Sequence, residues 1–282
     1  MFTRKELAYL GMKKLQMRFE NKIDFEKSYL AYSGGKDSHL IKWFIDHMGY
    51  DITIVGVNTY REHAEIRDRI YENSDIVLYP VKTIDEIKEK NIGIPCFTKN
   101  QDEYIDRYQR GSRAKSTLSK FEHTGDGTGK YGVNKKATEL TLKNKLHRVS
   151  RKCCYWSKEL PMMQYGEDNN KKAIIGIRQA ESINREKTPS CLADNGNFYP
   201  SYDLTDQIVE AIEKENSIYI PKIYKYVPRT GCIGCPYGRN IEKELSIVKK
   251  NQRDYAIHSF KESYDVKGIN YKDEQMNLFH YE

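Results

Sequence analysis

Six consecutive residues, Ser33-Gly34-Gly35-Lys36-Asp37-Ser38, bring together what an anion site needs. Adjacent glycines let a chain turn tightly and bring backbone N–H groups close to a ligand. Ser33 and Ser38 add hydroxyl donors, Lys36 a positive charge, and Asp37 a carboxylate suited to Mg²⁺ or to a helix cap. The Gly-x₄-Gly-Lys-Ser/Thr spacing of the Walker loop is absent, as is the glycine pattern of a dinucleotide fold. A second constellation is Cys153-Cys154 with Cys232-x-x-Cys235. Four thiols in two close pairs suggest one shared metal centre. A single Zn²⁺ needs its sulfurs at about 2.3 Å in a tight tetrahedron, which strains two adjacent cysteines. A cubane accepts sulfurs set further apart, so a [4Fe–4S] cluster is expected and zinc is the alternative. Lys158 and Arg229 flank the pairs and are placed to bridge the centre to an anionic substrate. Cys96 and Cys191 stand alone and read as small buried residues. A third feature is Arg178 with Arg185, two guanidinium groups of the kind that grip phosphate or sulfate through paired hydrogen bonds.

The elements around these residues alternate. Tyr29-Leu30-Ala31-Tyr32 reads as a short strand leading directly into the glycine turn. Leu40, Ile41, Phe44, Ile45 and Met48 form a helical stripe over 37–48. Ile52 to Val57 is a continuous apolar run, as expected of a strand covered on both faces. Residues 62–72 predict a helix, with His63 on its surface. Residues 76–79 predict a strand stopped by Pro80, and Ala173 to Ile177 a fourth strand. The helix over 204–213 has Asp203 as its expected N-cap and Asp206 in its first turn. Strand–helix alternation of this kind predicts a parallel sheet with helices on its faces. Arg178 and Arg185 then follow a strand ending at Gly176, on the edge where open α/β sheets bind ligands.

Composition narrows the class. The 282 residues carry 38% hydrophobic and 31% charged side chains, a mean hydropathy of −0.79 and 22 tyrosines. That length and aromatic content argue for a packed core rather than a disordered chain. No apolar run approaches the about 18 residues of a membrane span, and no signal-peptide core follows Met1, so a cytoplasmic protein is expected. Net charge is +7, a modest bias toward anionic partners. Between Lys99 and Lys152 there are 14 Lys and Arg against 6 Asp and Glu, which leaves the rest of the chain near −1. The stretch 100–148 reads as a basic, partly mobile insertion, either a solvated loop or a surface that touches DNA or RNA phosphates.

Ser-Gly-Gly-x-Asp-Ser after a first strand resembles the PP-loop of the adenine nucleotide alpha-hydrolase superfamily. That group includes ATP pyrophosphatases and the phosphoadenosine phosphosulfate (PAPS) reductase family. Gly176-Ile177-Arg178-Gln179-Ala180-Glu181-Ser182-Ile183-Asn184-Arg185 resembles the Gly-x-Arg-x-x-(Gln/Glu)-Ser-x-x-Arg signature of PAPS reductase-like proteins. The paired cysteines resemble those of cluster-binding sulfonucleotide reductases, phage-type relatives and DNA phosphorothioation enzymes. The resemblance implies a three-layer α/β sandwich with a mostly parallel sheet. It implies an adenine nucleotide, ATP or PAPS/APS, on Ser33, Gly34, Gly35, Lys36, Asp37 and Ser38. It also implies Thr59 beside that nucleotide, with Lys36, Asp37, Arg178 and Arg185 in the chemistry. Cys153, Cys154, Cys232 and Cys235 would be the metal ligands. Asn58-Thr59-Tyr60 stands where the family carries Asp-Thr-Gly, and 47 residues follow Cys235 without the thiol that sulfonucleotide reduction needs. The expected organisation is an N-terminal helix over 1–25, a PP-loop domain over 26–240 containing the insertion, and a helix with a polar tail over 241–282. Three functions stay open: sulfonucleotide-type reduction, ATP-driven adenylation followed by sulfur transfer to a nucleic acid or small acceptor, and a non-catalytic nucleotide- or nucleic-acid-binding module.

Overall fold

The computed structural model describes residues 2–122, 132–181 and 190–271. Its helices and strands run, in chain order, α1 (Arg4–Lys22), β1 (Ser28–Tyr32), α2 (Lys36–Met48), β2 (Thr53–Val57), α3 (Ala64–Asn73), β3 (Ile76–Leu78), α4 (Ile84–Glu89), α5 (Lys99–Gln109), α6 (Lys115–Leu118), α7 (Lys135–Leu142), α8 (Lys152–Cys154), α9 (Leu160–Asp168), β4 (Lys172–Ile174), α10 (Asp206–Glu215), α11 (Ile241–Ile247) and α12 (Lys250–Lys267). Two compact units divide the chain. One comprises Met1–Tyr60, Ala64–Tyr79 and Pro161–Arg229, the other Arg61–His63, Pro80–Leu160 and Thr230–Glu282.

The first unit is α/β. Its four strands are all parallel in the order β3-β2-β1-β4, with Leu30 opposite both Ile54 and Ile174. Successive side chains of a strand point to opposite faces. On one face Tyr29, Val55 and Ala173 pack with Met162 and Tyr165 of α9. On the other, Gly56 lies against Ile70 and Ser74 at the end of α3, and the Tyr32 hydroxyl meets His39 of α2. Helix, sheet and helix thus make the three layers that the sequence predicts. At the N-terminus, Thr3 and Glu6 form a capping box, and Ala8, Gly11, Leu15 and Phe19 fall on one buried stripe of α1. Gly11 faces α10, where a Cβ would stand 2.5 Å from Ile208. The cap of α10 is Thr205, whose side chain accepts from the Ile208 N–H. Asp203, expected there from sequence, instead pairs with Lys14 (3.2 Å) and Arg18 (2.8 Å) of α1.

The second unit contains the expected basic insertion. A solvated loop does not describe it. Helices α5 and α7 bury Ile105 and Ala137 against Cys96, Phe121, Val133, Leu146 and Val149 in a core of their own. The cations of these two helices, Lys99, Arg107, Lys135 and Lys136, are exposed, while the few apolar residues turn inward. A second core joins Ile84, Ile87, Cys153, Ile233, Leu245, Phe260 and Tyr264. Residues 123–131, inside the insertion, lie outside the described residues.

Candidate functional site

The glycine turn sits at the C-terminal end of β1 and opens α2. Gly34 has φ +70°, a left-handed conformation, and a Cβ there would meet the Ile66 carbonyl oxygen at 2.8 Å. Gly35 is the N-cap and supplies no side-chain acceptor, so the first amides of α2 are not capped from within. Among the described residues, the N–H groups of Gly34, Gly35, Asp37 and Ser38 have no protein acceptor, while that of Lys36 donates to the Tyr224 hydroxyl at 2.9 Å. These four amides and the positive end of the helix form a nest for an anion. The serines brace the loop. Ser38 Oγ donates to the Gly35 carbonyl (3.1 Å), accepts from the Ser33 N–H (3.3 Å) and lies 3.0 Å from Ser33 Oγ.

Two arginines hold this turn from behind. Arg69, buried in α3, donates to the Tyr219 carbonyl at 2.6 Å and approaches the Gly34 carbonyl at 3.5 Å. Arg178 is 2% exposed. Its Nε donates to Asp37 Oδ1 at 2.6 Å and its Nη1 to Asp206 Oδ1 at 2.7 Å. Burial opposes its charge, yet Asp37 and Asp206 hold its pKa above the usual arginine value. Arg178 therefore ties the segment after β4 to the first turns of α2 and α10. Gly176 allows that approach, since a Cβ there would stand 2.9 Å from the Asp37 and Ser38 backbone. Arg185 lies outside the described residues. Near Lys36, Glu213 has one buried carboxylate oxygen without a partner, and burial pushes its pKa up to about 7 against the pull of the Lys36 ammonium.

Thr59 is 4% exposed at the end of β2. The residue after it, Tyr60, has φ +65°. The left-handed turn that a glycine would take at this point is thus retained with a tyrosine in it. The Asn58 side chain supports the turn by accepting from the Tyr60 N–H at 2.8 Å.

The four cysteines of the two pairs belong to the second unit. Cys153 and Cys154 end α8, and a π-helical turn over Tyr155–Glu159 follows, carrying Lys158. Such a turn inserts an extra residue and re-aims its side chains. Burial raises the thiol pKa of Cys153 to about 12 and raises those of Cys154 and Cys235, and in each case neighbouring cysteines push the same way. The four sulfurs therefore share one electrostatic environment. Lys158 is charge-paired with Glu62 at 3.3 Å. Burial disfavours its charge, but Cys232, Glu62 and Cys154 together raise its pKa. Among the described residues, no three His, Cys, Asp or Glu side chains are arranged so that they could hold a metal ion.

Residues 61–63 fix the Cys232-x-x-Cys235 loop, which sequence reasoning missed. The Arg61 carbonyl accepts from the Ile233 N–H at 2.8 Å. His63 is buried rather than on a helix surface. Its Nε2 meets Glu244 Oε1 at 2.8 Å, and Glu244 Oε2 accepts from the Gly234 N–H at 3.0 Å. Partners 181 positions apart leave no signal in a single sequence. Cys96 is fully buried, with its thiol pushed up to about 12 by burial, beside Asp102, which accepts from the Cys96 and Phe97 N–H groups and the Tyr237 hydroxyl.

No family profile matches the chain. It is 25% identical over 190 residues to argininosuccinate synthase from Hyperthermus butylicus, covering 65% of this chain and 44% of that protein. The chain thus spans less than half the length of this relative. Among solved structures it is similar to PAPS reductase from Candida auris in a phosphate complex (11% identity, 80% of this chain and 92% of that one, TM-score 0.40). It is also similar to NMN synthetase from Francisella tularensis (12%, 97% and 97%, 0.41) and to NH₃-dependent NAD synthetase from Campylobacter jejuni (12%, 94% and 97%, 0.37). No helix among the described residues is long and apolar enough to cross a membrane. The proteins to which this chain is similar are thus a synthase, a reductase and two synthetases.

Proposed function

We propose that this chain is a PP-loop enzyme that binds an adenine nucleotide through the turn Ser33–Ser38 and uses it in sulfur chemistry. The observation that carries the reading is the set of unpaired amides at Gly34, Gly35, Asp37 and Ser38, in a turn that only glycine fits at position 34. Phosphate oxygens accept from such amides, and the positive end of the helix offsets part of the cost of taking the phosphate out of water. Lys36 adds charge at the mouth of the turn, and Thr59 stands at the end of the neighbouring strand, where nucleotides bind open parallel sheets. Asp37 and Arg178 hold the turn in shape, and Arg185 is assigned to the phosphates by resemblance.

The four cysteines suit a [4Fe–4S] cluster by donor chemistry and charge. All are soft ligands in one shared environment, and two cations, the half-buried Lys158 and the buried Arg61, lie beside them to offset the negative charge of ligated thiolates. When bound, such a cluster supplies one-electron storage and a local anionic charge. Cys153, Cys154, Cys232 and Cys235 would hold it, and the π-helical turn would fix the direction of Lys158 beside them.

A second reading of the reaction rests on the thiols. Sulfonucleotide reduction needs a nucleophilic thiolate, and of the two lone cysteines Cys96 is buried with its thiol pushed up to about 12, which leaves that role to the half-buried Cys191. Adenylation needs no protein thiol for its first step: an acceptor oxygen attacks the α-phosphate of ATP and pyrophosphate leaves. Calorimetric titration of ATP, PAPS and APS, followed by product analysis, tests both. The expected result is binding that weakens about tenfold or more in Lys36→Ala, a change of about 1.4 kcal/mol. Pyrophosphate from ATP selects adenylation, and sulfite from PAPS selects reduction. Unchanged affinity in Lys36→Ala would remove the turn from the site.

A further inference from the structure

Arg61 is 5% exposed, and its guanidinium is held between aromatic rings, 4.3 Å from the Phe260 centroid and 5.4 Å from that of Tyr255. Its Nη2 makes one long contact, 3.5 Å, to the carbonyl of Ile233. Ile233 lies between Cys232 and Cys235, so the guanidinium stands against the thiol loop. Among the described residues its Nε and Nη1 are buried without any hydrogen-bond partner, and no carboxylate pairs with it. The adjacent acid, Glu62, is engaged by Lys158 instead. A guanidinium cannot shed its proton to escape this position. Ring stacking offsets only part of the penalty of a buried, unpaired charge. The fold therefore keeps a cation whose free donors require an anion, at the loop that carries two of the four thiols.

We propose that Arg61 is the resident counter-cation of an anionic metal–thiolate centre at Cys153, Cys154, Cys232 and Cys235, with its Nε–H and Nη1–H donating to sulfur. The inference rests on the reading of those cysteines as iron–sulfur ligands. Its chemistry is that of a positioning residue. Donors aimed at sulfur stabilise electron density there, so they favour the reduced centre and raise its potential. They also raise the affinity for the centre, since outer-shell partners of a metal site are typically worth about 10–100-fold. The same charge is a burden to the iron-free protein, which has nothing to pair with it.

Arg61→Met and Arg61→Lys, in the full chain, test this. Each protein is reconstituted anaerobically with iron and sulfide, and iron content, visible absorption, midpoint potential and the rate of bleaching by a chelator are measured. Thermal unfolding of the iron-free forms is measured in parallel. In Arg61→Met the potential should fall and bleaching should quicken about tenfold or more, while the iron-free variant melts at or above the wild-type temperature. Arg61→Lys should recover part of the potential. A purely structural arginine would behave differently: its loss would lower the melting temperature of the iron-free protein and leave the potential in place, and that result overturns the proposal. Wild-type potential and bleaching in Arg61→Met would also overturn it while leaving the cluster reading standing. A wild-type chain that takes up no iron would instead refute the cluster reading, and the role of Arg61 with it.

Discussion

The Arg178–Asp37 pair allows a quantitative test of how the glycine turn is held. Arg178 is 2% exposed and Asp37 13%, and their Nε–Oδ1 distance is 2.6 Å. The second partner, Asp206, is 74% exposed although its distance is similar, 2.7 Å. Removing one member of a buried pair leaves an uncompensated charge and is worth about 3–5 kcal/mol. An exposed partner contributes about 0–1 kcal/mol because water replaces it. Arg178→Met should therefore lower unfolding stability by about 3–5 kcal/mol, and Asp206→Asn by about 1 kcal/mol or less. In the double variant Arg178→Met with Asp37→Asn neither charge is left orphaned, so the losses should be strongly non-additive. Urea unfolding of Arg178→Met, Asp37→Asn and their double variant gives the coupling from midpoints and slopes, with Asp206→Asn measured alongside. A coupling below about 0.5 kcal/mol, the ordinary scatter of independent sites, would refute the tie between these residues. So would an Asp206→Asn loss as large as that of Arg178→Met.

Gly34→Ala should lower both stability and nucleotide affinity. The left-handed backbone alone is worth about 1–2 kcal/mol, and the added Cβ meets the Ile66 carbonyl at 2.8 Å; an affinity within twofold of wild type by calorimetry would show that the turn is not the site. The pH dependence has a defined sign at His39, whose pKa burial pushes down to about 4, with Arg69 and Lys42 acting the same way. The unfolded imidazole binds its proton near 6.5 and the folded one does not until about 4. This histidine's contribution is therefore full above 6.5 and is lost as pH falls toward 4, by up to about 1.4 kcal/mol per pH unit. Melting curves between pH 7 and 4 should show a smaller decline in His39→Gln, and identical declines would contradict the assignment.

Much of the site is legible in the sequence because its signals are local. A glycine pair after an apolar run, followed by a helical stripe, specifies a strand, a turn and a helix N-terminus from neighbouring residues alone, and the structure has β1, the Gly34 turn and α2 there. Tyr60 shows where residue type misleads: the sequence has no glycine at this point, but the backbone takes φ +65° with Asn58 supporting the turn. The insertion is misread for a related reason, since its charges are dense while its few apolar residues converge only on folding.

The sequence by itself determined the glycine turn, the alternation of strands and helices, and the two cysteine pairs, because each depends on dihedral preference or chemistry within a few residues. Only the tertiary structure decided the partners. It put Arg178 against Asp37, 141 positions away, and so made a buried tie of a residue whose type suggested a phosphate clamp. It put residues 61–63 against the loop carrying Cys232 and Cys235 and left the Arg61 donors open beside it. Such pairings are set by where the chain crosses over and by what each crossing removes from water, and neither quantity is written in any local stretch of residues.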